Sequence, residues 1–169
     1  KLAVEHWRRS RPRCMGTLYW QLNDCWPAAS CSSLDAEGNW KALHYFARKF
    51  YAPILVSTLE DPVRGLVEVF VHNDLRQTFH GTLKWRIGDT QGRILREAGC
   101  PLVIEAGTVR KLGVLKMTDL MEKITPQTLI VWLSIVADDG YVLSSNCSIF
   151  LRPKEIEIVD PEIQVEIRP

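Results

Sequence analysis

Asp24 and Glu37 lie near the aromatic stretch early in this 169-residue sequence. Two carboxylates are what glycoside hydrolysis uses, one protonating the leaving oxygen while the other attacks or activates water. Their spacing carries no information by itself, and Asp24 is equally suited to hold a neighbouring backbone. Trp20 is more suggestive, because Gln21 and Asn23 stand close by. Sugars present C–H faces that stack on an indole and hydroxyls that need polar partners, and this mixture offers both. Core aromatics of an α/β unit are the competing reading, and bare chemistry leaves both open.

Other reactive types form no known pattern. The run Arg8-Arg9-Ser10-Arg11-Pro12-Arg13 reads as a solvated loop between a helix and a strand, because its surroundings are not basic. The histidines are dispersed: His44 shares a helix with Arg48, while His72 and His80 lie in a β region. No zinc spacing, P-loop, Gly-x-Gly-x-x-Gly or Gly-x-Ser-x-Gly motif occurs, so no metal or cofactor is expected. Cys14, Cys25, Cys31, Cys100 and Cys147 are odd in number and lack CxxC spacing, which favours free thiols in a reducing, cytoplasmic setting. The triplet Asn146-Cys147-Ser148 is a formal N-glycosylation acceptor and points the other way, although it lies in a predicted strand.

Composition bounds the answer further. A hydrophobic fraction of 46% excludes wholesale disorder, and a net charge of +1 argues against a nucleic-acid partner. No apolar run approaches the roughly 18 residues of a membrane span, so no membrane partner is expected either. A complete (β/α)8 barrel is excluded, since it needs about 250 residues. The chain does not begin with Met, and it reads as cut from something longer. Four of six Trp and an excess of basic residues lie before residue 50, where the character of the chain changes.

The elements that position these groups follow from periodicity. Residues 1–9 read as the end of an amphipathic helix stopped by Pro12. Residues 15–22 (MGTLYWQL) read as a buried strand of parallel type. Asn39 is a plausible N-cap for a helix with Trp40, Leu43, Ala47 and Phe50 on one face, closed by Pro53. After Pro53 the period becomes two. Strands are expected over 54–59, 65–73, 82–87, 93–98, 101–105, 111–117, 128–137 and 141–151, with a helical turn at most in 118–126. Asp89-Thr90-Gln91-Gly92 and Asp138-Asp139-Gly140 are hairpin signals. This is the pattern of an immunoglobulin-type antiparallel β-sandwich. Trp85 and Trp132 are expected to face inward, and 154–169 to open a further β-domain.

Two segments carry a resemblance. Residues 15–27 (MGTLYWQLNDCWP) and 40–48 (WKALHYFAR) closely resemble the β-mannosidases of glycoside hydrolase family 2. In that family these segments look like the last barrel strand and helix, followed by an immunoglobulin-like domain. The resemblance thus implies a mainly β chain: an immunoglobulin-like antiparallel β-sandwich (53–153) preceded by the last strand-helix unit of a (β/α)8 barrel (1–52), with 154–169 beginning another domain. Family members are retaining enzymes with two catalytic glutamates and no metal; no Glu here stands in either family context, so the isolated chain is expected to be inactive. Trp20 matches the tryptophan that walls the sugar subsite, while Asn23, Asp24 and Trp26 would form the substrate-binding rim at the strand's C-terminal end. The implied partners are a β-mannoside oligosaccharide, the remaining barrel of a parent chain, and another copy of the fragment. Other family-2 specificities, β-galactosidase or β-glucuronidase, and a carbohydrate-binding or protein-contact sandwich are the alternatives.

Overall fold

The computed structural model describes residues 1–125, 128–150, 152–156, 160 and 163–166. Helices α1 (Leu2–Arg9) and α2 (Ala42–Phe50) precede seven strands. These are β1 (Ile54–Asp61), β2 (Leu66–Asn73), β3 (Phe79–Asp89), β4 (Ile94–Ile104), β5 (Val109–Lys116), β6 (Leu129–Val136) and β7 (Val142–Ile149). A helical turn, α3 (Thr118–Met121), falls where at most a turn was expected. The strands form a three-stranded sheet, β1-β2-β5, and a four-stranded sheet, β4-β3-β6-β7, with every pairing antiparallel. The expected β-sandwich is therefore the observed fold.

Alternation builds its core. Val67, Val69 and Val71 of β2 point toward Leu83 and Ile87 of β3 and toward Leu129, Val131, Leu133 and Ile135 of β6. All are buried, and each such side chain contributes about 1.5–3 kcal/mol relative to exposure. The opposite face of β1-β2 carries Leu55, Ser57, Phe70 and His72, and α1 lies over it: the Arg9 guanidinium sits 5.7 Å from the Phe70 ring. Val4 of α1 packs with Ala47 and Phe50 of α2 in a second small cluster. The helices thus form a layer over the outer face of the three-stranded sheet, with α2 reaching the edge strand β7.

The sandwich closes along one side without a backbone ladder. The edge strands β1 and β7 are stitched by side chains: the Val56 N–H donates to Ser144 Oγ at 3.0 Å, and Asn146 Nδ2 donates to the Val56 carbonyl at 2.9 Å. Ser148 Oγ donates to Thr58 Oγ1 at 2.7 Å and to the Glu60 carboxylate. Asn146 Nδ2 also reaches Glu5 Oε1 of α1 at 3.1 Å, so the seam extends into the helical layer. Burial raises the Glu5 carboxyl above its ordinary range, against the nearby Lys1. Asn146 is only 8% exposed and its amide is committed inside. The sequon is therefore expected to carry no glycan in the folded chain; release of an N-linked glycan from Asn146 of natively purified protein, read by mass, would contradict this geometry.

Several expectations need correction. Residues 15–22 do not form a regular strand. A parallel strand takes its bonds from neighbours on both sides. Here, among the described residues, the backbone of residues 21–24 pairs on one side alone, with residues 33 and 34, through an isolated parallel bridge Asn23–Leu34. Asn39 is not the N-cap of α2; its side chain donates to Asp35 Oδ2 at 2.9 Å, and Lys41 takes the cap position. The two strands expected across 93–105 are one, β4, with Pro101 paired opposite Thr82. Proline is tolerated there because β4 is an edge strand, where its missing N–H need not face a partner. Trp85 packs on the core as expected, but Trp132 lies on the outer face. The sequence of β6 is apolar on both faces, so alternation could not tell which side was in. Of the strands expected in 154–169, half of the residues lie outside the described ones; among the described residues Pro153–Glu155 form a 3-10 turn and 163–166 form no strand.

Candidate functional site

Residues 15–24 form an irregular segment beside the end of α2, and its two sides meet different surroundings. Tyr19 turns inward: its hydroxyl bonds Ser33 Oγ at 3.0 Å, and its ring stacks on Tyr51 with centroids 6.3 Å apart. Ser33 Oγ in turn bonds the Leu22 carbonyl at 2.9 Å and His44 Nδ1 at 3.1 Å, which ties the segment to α2. Trp20, on the other side, is 84% exposed. The Trp20–Gln21 peptide is cis.

Asp24 ends this segment, and nearly all of its side chain is covered. Lys41 Nζ donates to Oδ2 at 2.6 Å and Ser30 Oγ to Oδ1 at 2.5 Å, while Lys41 also donates to Ser32 Oγ at 2.8 Å. The Lys41 and Ser30 hydrogen bonds hold the Asp24 carboxyl down at about 2, against the opposing effect of desolvation. A carboxylate held in this way favours the fold above its ordinary range and loses that contribution only as pH falls through about 2. Both of its oxygens are engaged, and Glu37 lies exposed in the turn around Asp35. The two acids are therefore not a catalytic pair. Asn23 is exposed and its Nδ2 donates to the Asp24 carbonyl at 3.0 Å. Trp26 is 70% exposed, and among the described residues no ring contact joins it to Trp20.

Sequence reasoning missed the residues that fix this edge on the sandwich. Arg8 is mostly buried; its Nη1 donates to the Phe50 carbonyl at 2.5 Å, and its Nη2 to the Ala52 carbonyl and Asp74 Oδ2, both at 2.9 Å. Arg11 Nη1 reaches Asp74 Oδ1 at 2.7 Å and the Gly107 carbonyl at 3.2 Å. The basic run is thus a clamp that satisfies the C-terminal carbonyls of α2 and grips the loop after β2. Expecting a solvated loop overlooked Asp74, which is distant in sequence. Among the described residues no cluster of His, Cys, Asp or Glu is arranged to hold a metal ion. All five cysteines are free.

Residues 65–155 match the family model described as Mannosidase Ig/CBM-like domain, and the chain belongs to that family. The resemblance to β-mannosidases of glycoside hydrolase family 2 holds along the whole chain: it is 31% identical over its full length to beta-mannosidase A of Aspergillus fumigatus. It is also 35% identical to the beta-mannosidase of Mus musculus over 73% of its residues. The chain spans about a fifth of the length of the Aspergillus relative (20%) and less of the mouse one (15%). Among solved structures, a beta-D-mannosidase from Dictyoglomus thermophilum superposes with a TM-score of 0.80 at 24% identity, covering 92% of this chain and 18% of that one. The exo-chitosanase CsxA of Amycolatopsis orientalis gives 0.66 at 18% identity, covering 86% and 17%. These two likenesses concern the fold.

Proposed function

We propose that the chain is part of a retaining β-mannosidase that releases terminal β-linked mannose, and that Trp20 supplies one wall of its sugar subsite. In this reading residues 1–52 complete the catalytic barrel, 53–153 form a non-catalytic sandwich that buttresses it, and 154–169 lead into another domain. The observation that carries it is the extreme exposure of Trp20 on a segment whose other side is locked by Tyr19, Ser33 and the Asp24–Lys41 pair. An indole carried on a backbone anchored in this way can offer its face to the C–H side of a pyranose. Asn23 and Trp26 stand exposed on the same loop as rim contacts, while Asp24 shapes the rim from beneath. Met15, Leu18 and Leu22 are also exposed, and the remaining barrel of the parent chain is the partner that would cover them. In its absence a second copy would serve.

In this reading the chemistry belongs to two glutamates outside this chain, as the resemblance implies. The test is hydrolysis of aryl β-mannoside, β-galactoside and β-glucuronide by the full-length parent and its Trp20→Ala variant. We expect the mannoside to be preferred and the variant to lose about tenfold or more in kcat/KM, the equivalent of about 1.4 kcal/mol of transition-state binding. The 169-residue chain alone should show no hydrolysis. An unchanged kcat/KM in a normally folded variant would remove Trp20 from the subsite, and preference for another glycoside would overturn the specificity.

A further inference from the structure

A groove of about 600 Å³ lies away from Trp20, between the α2 side of the molecule and the outer face of the four-stranded sheet. Strand register lays out its floor as two rows. Arg86, Trp132 and Cys147 are aligned across β3, β6 and β7, and Lys84, Ser134 and Ser145 form the next row. All six point away from the core, since their neighbours Leu83, Ile87, Leu133 and Ile135 are the buried set. Trp132 leans along the sheet over Gly88, where a Cβ would sit 3.0 Å from Cζ3 and 2.5 Å from the Arg93 carbonyl. Only glycine leaves the indole this room.

Phe46 and Lys49 of α2 form the wall, and Lys1 reaches across to the Cys147 carbonyl at 3.0 Å. The lining is electrostatically one-sided. The side chains of Lys49 and Lys84 make no hydrogen bond or ion pair among the described residues, and the Arg86 side chain has there only an exposed pair with Glu97 at 3.1 Å. Such a pair is worth little and exchanges readily for a ligand anion. The single carboxylate in the lining, Glu5, is buried and already bonded to Asn146.

We propose that this groove binds an anionic saccharide, a pyranose bearing a carboxylate or sulfate, with the sugar stacked on Trp132 and its charge met by Lys84, Lys49 and Arg86. The combination is selective: an indole platform with Ser134 and Ser145 beside it suits a sugar ring, and unpaired cations require the charge. The site is separate from the proposed Trp20 subsite, and neither depends on the other.

Titration calorimetry of the 169-residue chain with a glucuronate-containing disaccharide, a sulfated disaccharide and neutral mannobiose tests this. The two acidic sugars divide the sources of charge between them. We expect at least one of them to bind, with affinity falling as salt rises from 50 to about 300 mM and mannobiose at least tenfold weaker. Trp132→Ala and Lys84→Glu should each reduce affinity about tenfold with the melting temperature retained. Absence of binding, equal affinity for mannobiose, or affinity unaffected by Trp132→Ala would overturn the proposal, the last by showing a polyanion surface with no sugar site. If Trp132→Ala fails to fold, Trp132→Phe takes its place: it keeps a smaller ring and should give an intermediate loss.

Discussion

Lowering the pH from about 6.5 to 5 is expected to destabilise the fold by about 2 kcal/mol through His72 alone. Its imidazole is fully buried beneath α1, with Nε2 bonded to Ser57 Oγ at 2.8 Å and Nδ1 without a partner among the described residues. Burial is the main reason its pKa is pushed down to about 3, and Arg8, Arg9 and Arg11 add to it. The unfolded chain therefore takes up a proton near pH 6.5 that the folded chain refuses. Stability is unaffected above that value and falls by about 1.4 kcal/mol for each pH unit between about 6.5 and 3. Glu5 opposes this, because its raised pKa makes stability fall as pH rises from about 4.5 toward its folded value. Comparison of urea unfolding for the wild type and His72→Gln at pH 7 and 5 isolates the histidine. Glutamine keeps a partner for Ser57 and does not titrate, so the gap between the two proteins should shift by about 2 kcal/mol in its favour at pH 5. Parallel pH profiles would mean that the imidazole is protonated in place.

Truncation of Phe50 should have the largest effect of any single change in the helical layer. The side chain is 2% exposed, packs edge-to-face on Tyr51 at 4.8 Å, and joins Val4 and Ala47 in the cluster that unites α1 with α2. Removing a buried phenyl ring costs about 3–5 kcal/mol where the surroundings cannot collapse. Collapse is hindered here because Arg8 grips the Phe50 and Ala52 carbonyls. Phe50→Ala is thus expected to strip hydrogen-exchange protection from α1 and α2 first, while β3 and β6, whose core is separate, stay protected. A loss below about 1 kcal/mol, or equal loss of protection in both layers, would show that the two clusters are not energetically distinct.

What could be read from the sequence divides along physical lines. The sandwich was legible because strands such as β2 alternate cleanly and are bounded by turn residues. Trp132 was misplaced because β6 offers apolar groups to both faces. The segment 15–22 was misread because a strand's regularity depends on its neighbours, which local pattern does not report. Trp20 stood out by its setting beside amide side chains, and the structure leaves it exposed. Lys41 and Asp74 were invisible, since charge pairing across 17 or 66 positions leaves no local trace.

Asn146 leaves one consequence for biosynthesis. Its amide is available to an oligosaccharyltransferase only until β7 closes against β1, after which Val56 and Glu5 hold it. In any compartment where that enzyme operates, a glycan here would mark molecules that lost a race between chain closure and modification. The attached sugar would then bar the seam from closing, so the triplet would act as a timer that records slow folding.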